Sequence, residues 1–255
     1  VLSRFVLIES LMPAAEPVAV RAKGLPFEPE CLSVVSYNLL APLYVRPVDA
    51  RTGSVQAFAA FEWAEPAAER LDWEARRPRL VAELAACGAD VICLQEVQFE
   101  RAGDAPSPAA PAFALPAYLR ELCAAAGYEA RVPDARELAA MAERNARVLG
   151  DAAPVGNALL WRASRLEALP GDDRHPDATT RVGAGLRGRA GTPLARLGPT
   201  VFVSVHLDAT SEEKRVAQLE AALDASRAHG TRSLLVAGDC NVEFDSGSCV
   251  RAFLE

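Results

Sequence analysis

The chain has 255 residues, of which 51% are hydrophobic by type, and its formal net charge is −7. This length suits one large domain with a substantial core, and the acidic balance argues against a broad cationic surface for duplex nucleic acid. No apolar run in the sequence approaches the length of a membrane span, so we expect no membrane partner.

The six cysteines are scattered, without a C-x-x-C pair or a neighbouring histidine pair. This pattern indicates neither a zinc site nor a disulfide framework and favours a reducing compartment, so we expect an intracellular protein, cytoplasmic or nuclear. Glu9 interrupts the opening apolar stretch, which fits a secretory signal poorly. Because the chain begins at Val1, the sequence leaves organelle targeting open.

Residues 1–30 combine a short apolar run with four prolines, and we interpret them as an N-terminal extension. A single domain is then expected over residues 31–255. Residues 50–72 are loop-like and carry no legible site.

Two predicted strands in the first half of the chain each end on a polar side chain. Residues 31–37, CLSVVSY, are rich in β-branched side chains and predict a strand that presents Asn38. A helix is predicted over residues 74–87 from its apolar spacing. After it, residues 90–95, DVICLQ, form a nearly continuous apolar run that predicts a buried strand presenting Glu96.

The middle of the chain alternates between the apolar spacing of helices and that of strands. Apolar spacing predicts helices over residues 116–126 and 134–149, and strands over residues 128–132 and 155–161. Residues 171–193 are rich in Gly, Asp and Arg, and this composition predicts a mobile excursion.

The next strand is predicted over residues 200–205, TVFVSV, and it presents His206. Thr210 and Glu213 then predict a capping box that opens a helix over residues 211–229. A single histidine after a strand is more often structural than catalytic, so His206 alone decides nothing.

A last buried strand, over Leu234, Leu235 and Val236, is predicted to end at Gly238 and is followed by GDCN. An acid and an amide two positions apart at a strand end suit a hydrated divalent cation and a phosphate, because the carboxylate holds the cation's waters and the amide donates to a phosphoryl oxygen. Asp and Asn are also ordinary turn formers, so this pair alone leaves both interpretations open.

Four predicted strand ends thus present, in order, Asn38, Glu96, His206 and the pair Asp239 and Asn241. Hydrolysis of a phosphate ester needs a metal to neutralise charge, a held water to attack and a donor for the leaving oxygen. The ordered set offers a candidate for each requirement and is much rarer than any single member.

The motifs SYN, LQE, VHL and GDCN, in this order, resemble the signatures of the endonuclease/exonuclease/phosphatase superfamily. The resemblance is closest to the branch of carbon-catabolite-repression-type mRNA deadenylases, nocturnin and Angel, through YNLLAP, WEARRPRL before ADVICLQEV, and DSGSCVRAFL after GDCN. It covers residues 31–254, except for the loops at 46–72 and 171–193.

The resemblance implies an α/β fold, a four-layer α/β sandwich in which two packed mixed sheets lie between outer helices and the site lies at one end. The alternation of predicted strands and helices independently supports the α/β class. The family also ends in a further strand and a loop with an Asp-His pair, which the sequence up to Glu255 does not contain. We therefore expect the C-terminal strands and this catalytic segment to be missing, and residues 1–255 alone to hydrolyse little.

The resemblance also implies roles for the five strand-end residues. Glu96 would hold magnesium or manganese, with Asn38 and Asp239 beside the ion. Asp239 would in addition orient the attacking water, and His206 would stabilise or protonate the leaving group. Asn241 would grip the phosphate of the substrate, next to Asn38.

Two further residues, Arg215 and Gln218, resemble a recurring pair of the family. Charge on the surface of a helix explains them equally well, so this point stays open in the sequence.

The function that the resemblance implies is that of a magnesium-dependent phosphodiesterase, foremost a 3′ exoribonuclease of deadenylase type acting on single-stranded RNA. A phosphatase for a small phosphorylated metabolite, such as a dinucleotide or an inositol phosphate, would use the same metal site and suits the acidic charge. A non-catalytic interaction module of the same fold is the third alternative.

Overall fold

The computed structural model describes residues 6–10, 31–45, 52–53, 71–102, 113–170, 180–227 and 233–242. Its strands are β1 (Val6–Ser10), β2 (Val34–Asn38), β3 (Val91–Gln98), β4 (Glu100–Arg101), β5 (Phe113–Ala114), β6 (Tyr128–Arg131), β7 (Val155–Arg162), β8 (Leu166–Ala168), β9 (Arg181–Gly188), β10 (Thr200–His206) and β11 (Ser233–Asp239). Its helices are α1 (Pro42–Val45), α2 (Trp73–Cys87), α3 (Ala117–Ala126), α4 (Ala135–Leu149) and α5 (Glu212–Arg227).

Two mixed sheets organise these elements. The five-stranded sheet has the order β1-β11-β10-β9-β8, and the four-stranded sheet has the order β2-β3-β7-β6. Each contains one parallel pair, β10 with β11 and β2 with β3, while the other pairings are antiparallel. The carboxyl ends of parallel neighbours meet at one edge of a sheet, so each sheet presents two strand ends side by side.

Three apolar clusters separate four layers. The first joins the four-stranded sheet to α2, α3 and α4, the second lies between the two sheets, and the third joins the five-stranded sheet to α5. Successive strand residues divide between these clusters, as the pleat requires: Phe202 faces the other sheet, while Val201 and Val203 face α5. The predicted four-layer α/β sandwich is confirmed.

The helix ends follow the local chemistry of the sequence. Asp72 and Asp134 cap α2 and α4, each accepting hydrogen bonds from backbone N–H groups of the first turn. Gly88, Gly127 and Gly150 end α2, α3 and α4 in the left-handed conformation, which a residue without a side chain adopts at little cost. In the part of the chain that the structure describes, no helix is long and apolar enough to cross a membrane.

One sequence prediction was wrong over part of its length. Residues 171–193 were expected to be a mobile excursion, but Arg181–Gly188 form β9, paired on both sides with β8 and β10. Val182, Ala184 and Leu186 face the other sheet. Glycines at the alternate positions 183 and 185 lower the strand propensity of this sequence, so the strand was not recognised. Pairing with two neighbouring strands stabilises it in the fold. Residues 171–179 lie outside the described residues.

At the N-terminus, Val6–Ser10 pair with β11 and so extend the five-stranded sheet. The proposed boundary between an extension and a domain near residue 30 stays a prediction. The helix expected over residues 211–229 is α5, but its cap differs from the capping box predicted at Thr210: the Ser211 hydroxyl accepts from Lys214 N. Asp208 accepts from Thr210 N, Thr210 Oγ1 and Ser211 N, and these bonds hold its carboxyl pKa well below its usual range.

The pair Arg215 and Gln218 ties α5 to the loop after β10. Arg215 is 9% exposed, and its Nη1 donates to the carbonyl of Asp208 at 2.9 Å. Gln218 Oε1 accepts from Asp208 N at 2.8 Å. Surface charge therefore does not explain Arg215. Together the two side chains satisfy both backbone groups of one residue just past His206.

Arg215→Met should lower the free energy of unfolding by about 1–3 kcal/mol, because it leaves the Asp208 carbonyl without its donor while keeping the side-chain volume. Lys214→Met is the matched control, since Lys214 is exposed and only pairs with the Asp208 carboxylate at 3.6 Å; we expect a change below about 0.5 kcal/mol. Urea unfolding of both variants measures the difference, and equal losses would contradict the tie.

Gly238 pairs with Val205 of β10, and a Cβ at Gly238 would collide with the backbone carbonyl of Val205. The strand does not end at Gly238 as expected; it continues to Asp239, which is the register partner of His206. The close approach at Gly238 therefore fixes how these two side chains stand beside each other.

Gly238→Ala should destabilise the protein by about 1–3 kcal/mol, because the obstructing atom is backbone and cannot move aside like a side chain. Gly198→Ala is the control: no atom lies within 4 Å of the position that its Cβ would take and its φ is not positive, so stability should change by less than about 0.5 kcal/mol. Urea unfolding midpoints decide; a neutral Gly238→Ala would refute the collision.

Candidate active site

Three of the five predicted site residues reach the site by plain strand alternation. Asn38 follows Val34 and Ser36 on the face of β2 that looks toward the other sheet, and Asp239 follows Leu235 and Ala237 on β11 in the same way. His206 likewise lies two residues beyond Ser204, which bonds to the opposite sheet. The period of two thus brings side chains of both sheets to one end of the space between them.

Glu96 reaches the same place by a break in that alternation. It was expected just past the end of its strand, but β3 continues to Gln98, and its pairing with β7 shifts between Leu94 and Val97. Two residues, Gln95 and Glu96, therefore lie opposite one residue of β7. Without this bulge Glu96 would share the face of Leu94, beneath the helices; bulges of this kind re-aim a side chain.

The amide of Asn38 joins the two carboxylates. Its Nδ2 donates to Glu96 Oε1 at 2.8 Å and to Asp239 Oδ2 at 3.0 Å, so one donor bridges an acid from each sheet. Two unit charges about 6 Å apart, the widest separation that these bonds allow, repel by about 3 kcal/mol at an effective dielectric constant of about 20. A neutral amide relieves only part of this repulsion, so the pair favours a cation.

His206 lies beside the Glu96 carboxylate of this group. Its Nε2 lies 4.0 Å from Glu96 Oε1, with side-chain exposures of 24% and 12%. This distance is too long for a hydrogen bond and suits an arrangement in which both groups face a third, such as a substrate oxygen. The imidazole is therefore accessible to a ligand at the carboxylate pair.

Asn241 is held by its neighbours. Its N donates to Asp239 Oδ1 at 2.9 Å, and its Nδ2 donates to the carbonyl of Leu207 at 2.8 Å. One of the two amide hydrogens is thus already used by the loop after β10. The structure brings Asn241 to the site through Asp239, and its predicted grip on a phosphate stays a prediction.

Backbone strain concentrates at this end of the sandwich. Among the described residues other than glycine, Leu40, Glu96 and Asn241 have positive φ, with values of 53°, 56° and 49°. Each such conformation costs about 1–3 kcal/mol for a residue with a side chain and clusters at functional sites in proteins. All three residues lie at or within two positions of a predicted site residue, which independently marks this place.

The loop after Asn38 is fastened from two directions. Asn38 Oδ1 accepts from Leu40 N, and Glu96 Oε2 accepts from Ala41 N. From α2, Arg76 donates Nη1 to the carbonyl of Leu39 and Nη2 to that of Leu40, both at 2.6 Å. Arg76 thereby holds the strained turn beside the carboxylates. Sequence reasoning assigned no role to this arginine, although it lies within WEARRPRL.

Two neighbouring groups stay neutral. Burial, and then the charge of Glu96, raises the pKa of Tyr44, so its phenol remains protonated near the site. Cys240, inside GDCN, points away into the cluster beneath α5, and burial with the adjacent Asp239 raises its thiol pKa to about 12. Its place in the motif therefore reflects packing and not metal binding.

The donor set fits a hard divalent cation. Within the described ranges no group of three or more His, Cys, Asp or Glu side chains converges on a metal position. Magnesium needs no such group, since it keeps several waters and is held by one or two carboxylates together with substrate phosphates. Glu96 and Asp239, each with oxygen lone pairs to spare, meet that requirement, while Asn38 Nδ2 faces both carboxylates and Asn38 Oδ1 accepts from Leu40 N.

Sequence reasoning missed the polar side chains behind the site, namely Ser36, Gln95, Asn157 and Ser204. They occupy positions that the strand period assigns to the buried face between the sheets. A small polar residue two positions before a strand-end residue, as in SYN and SVH, was the available signal.

The comparisons with known proteins concern the family and the fold. The model of the endonuclease/exonuclease/phosphatase family matches residues 35–252. No curated protein matches the chain by sequence.

Solved structures with a similar fold include ANGEL2. The crystal structure of ANGEL2, a 2′,3′-cyclic phosphatase, in complex with adenosine-2′,3′-vanadate has a TM-score of 0.54 and 19% identity, over 87% of this chain and 56% of that chain. A second ANGEL2 crystal structure has a TM-score of 0.50 and 20% identity, over 87% and 55%. The human Nocturnin catalytic domain with bound sulfate has a TM-score of 0.47 and 17% identity, over 82% and 64%.

This chain therefore spans a little more than half the length of the ANGEL2 chains that it resembles. At these identities the likeness shows the fold, and it includes proteins of the branch that the sequence motifs resemble. The family match extends over far more than half of the chain, and the chain belongs to the endonuclease/exonuclease/phosphatase family, whose members are hydrolases acting on phosphate esters.

Proposed function

We propose that this protein is a divalent-cation-dependent phosphodiesterase whose site is formed by Asn38, Glu96, His206, Asp239 and Asn241. The observation that carries the proposal is the Asn38 amide, which holds one carboxylate from each sheet at 2.8 and 3.0 Å. A fold gains nothing from drawing two acids together unless a cation or a proton joins them. Membership of a family of phosphate-ester hydrolases supports the cation.

Glu96 would hold magnesium or manganese, with Asp239 and Asn38 beside the ion. When bound there, such an ion supplies charge neutralisation for a phosphate and a more acidic water. Asp239 has its Oδ1 turned to the backbone of Asn241 and its Oδ2 turned to Asn38, so its orientation is fixed by two donors. A carboxylate held in this way can keep an attacking water in one direction and accept its proton.

His206 and Asn241 would act on the substrate. The imidazole Nε2 lies 4.0 Å from Glu96 Oε1, and the side chain is 24% exposed, so it can donate a hydrogen bond or a proton to the leaving oxygen. Asn241 keeps one amide hydrogen beyond its bond to Leu207, and this hydrogen can be donated to a phosphoryl oxygen. Asn241 is preorganised because its backbone N and its side-chain Nδ2 are both already bonded.

The proposed substrate is single-stranded RNA, cleaved from its 3′ end in the manner of a deadenylase. The motif resemblance to that branch supports this choice, and the acidic chain suits a flexible strand bound at one end better than a duplex. Hydrolysis of a terminal 2′,3′-cyclic phosphate is the second candidate. It is favoured by the likeness to ANGEL2, a 2′,3′-cyclic phosphatase.

Glu96→Gln should weaken Mn²⁺ binding to the full-length protein by at least about tenfold, because it removes a ligand charge. Asp239→Asn should chiefly lower kcat, by about a hundredfold or more. Isothermal titration with Mn²⁺ and initial rates at saturating Mg²⁺ measure the two effects. Glu100→Gln, an exposed carboxylate four residues along the chain from Glu96, is the control and should change neither. Unaltered Mn²⁺ affinity in Glu96→Gln would refute the ligand assignment.

A substrate panel should show fastest turnover on a 3′-hydroxyl poly(A) strand, with release of mononucleotides from the 3′ end. The panel adds the same strand with a 2′,3′-cyclic phosphate end, a phosphorylated dinucleotide and an abasic DNA duplex. Product lengths and kcat/KM for each substrate, with Glu96→Gln protein as the control for contaminating nucleases, decide the order. Preference for the cyclic end would establish the second candidate, and preference for the dinucleotide or the duplex would overturn both.

A further inference from the structure

A buried polar bridge crosses the otherwise apolar space between the two sheets. Gln95 of β3 donates Nε2 to Ser204 Oγ of β10 at 3.1 Å, and Ser204 Oγ donates to the carbonyl of Leu94 at 3.1 Å. Asn157 of β7 donates Nδ2 to the carbonyl of Ser204, also at 3.1 Å. Gln95, Asn157 and Ser204 are each 0% exposed, so solvent water does not compete for these hydrogen bonds.

The bridge is continued sideways within the four-stranded sheet. Ser36 of β2 donates Oγ to Gln95 Oε1 at 3.2 Å, and Gln95 Nε2 also donates to the carbonyl of Cys93 at 3.0 Å. The amide of Gln95 thereby has partners for both its nitrogen and its oxygen. A buried amide with a full set of partners is held in one orientation, whereas one with a partner missing would be a large penalty.

The bridge lies directly behind the site in every strand that it touches. Gln95 precedes Glu96, Ser204 is two residues before His206, and Ser36 is two residues before Asn38. Gln95 and Glu96 are also the two residues of the bulge opposite Asn157. Three of the strands that carry the site, β2, β3 and β10, are therefore tied together with β7 one side-chain layer beneath it.

Apolar contacts set an alignment less sharply than hydrogen bonds do. Burial between the sheets, as around Phe202, favours close packing but has no preferred direction. Hydrogen bonds have preferred lengths and angles and do fix a register. A displacement near 1 Å at a site can cost about a hundredfold in rate, so the bridge controls what matters most for two carboxylates from separate sheets.

We propose that Gln95 and Ser204 are positioning residues that lock the two sheets in the alignment at which Glu96, Asp239 and His206 can act together. The proposal rests on the proposed function, since it names how that site is kept assembled. It adds a role for two buried side chains that contact neither the proposed cation position nor the substrate. Their contribution is made through Leu94, Glu96 and the end of β10.

Ser204→Ala removes two side-chain hydrogen bonds of the bridge, and Gln95→Met removes the bridging amide at similar volume. The matched control is Ser33→Ala, which also removes two side-chain bonds: the Ser33 hydroxyl donates to Asp90 Oδ2 at 2.8 Å and accepts from Asp90 N at 2.9 Å. Those bonds lie at the other end of β2 and β3 and stay within one sheet. The control thus reports a stability loss without a loss of alignment between sheets.

In the full-length protein at saturating Mg²⁺, Ser204→Ala and Gln95→Met should each lower kcat about tenfold or more with little change in KM. The double variant should be no slower than the worse single variant, because both substitutions remove one shared bridge. Ser33→Ala should keep kcat within about twofold at a comparable loss of thermal stability. If kcat falls in step with stability in all variants, or if the two losses multiply in the double variant, the positioning role is wrong.

Amide hydrogen exchange gives an answer that needs no activity. The amides of Leu39 and Leu207 are bonded at the site ends of different sheets, to the carbonyls of Gln95 and Asp239. Both should exchange about tenfold faster in Ser204→Ala, and neither in Ser33→Ala, because opening one end should loosen the other. Acceleration of Leu207 alone would overturn the proposal. A wild-type protein without hydrolytic activity would instead refute the proposed function and leave this exchange result to decide the alignment role.

Discussion

The alternation of side chains along a strand is the constraint on which the rest of this site depends. In a regular β3 the carboxylate of Glu96 would lie beneath the helices with Leu94 and could meet nothing on the other sheet. One extra residue opposite Asn157 changes that, and it turns Glu96 toward the amide of Asn38. The bulge therefore converts a strand that is nearly continuous apolar sequence into one that delivers an acid between the sheets.

The site joins two sheets, and each supplies what the other lacks. The four-stranded sheet contributes Asn38 and Glu96, and the five-stranded sheet contributes His206 and Asp239 as register partners on neighbouring parallel strands. An amide between two acids is a poor resting state without a cation, since like charges at this separation repel by a few kcal/mol. In the proposed function, a hard cation held by the two carboxylates relieves this repulsion.

The protein keeps this arrangement at a cost in stability. Positive φ at Leu40, Glu96 and Asn241 costs about 1–3 kcal/mol each, against a total stability of about 5–15 kcal/mol for a typical domain. Arg76 on α2 offsets part of this cost, because it binds the carbonyls of Leu39 and Leu40 in the strained turn after Asn38.

Strand periodicity and residue chemistry in the sequence were sufficient to name the strand-end residues and the α/β class, because alternation and β-branched runs are local properties. The four-layer arrangement was expected from the resemblance to the family. The strand at Arg181–Gly188 was not predictable, since its stability comes from two neighbours and not from its glycine-rich sequence. The direction of Glu96 also needed the structure, because a bulge is a property of pairing between strands. The sequence left open whether Arg215 was a surface charge or a structural contact, and the structure shows its bond to Asp208. The bridge from Gln95 to Ser204 also needed the structure, because it joins strands that are distant in sequence.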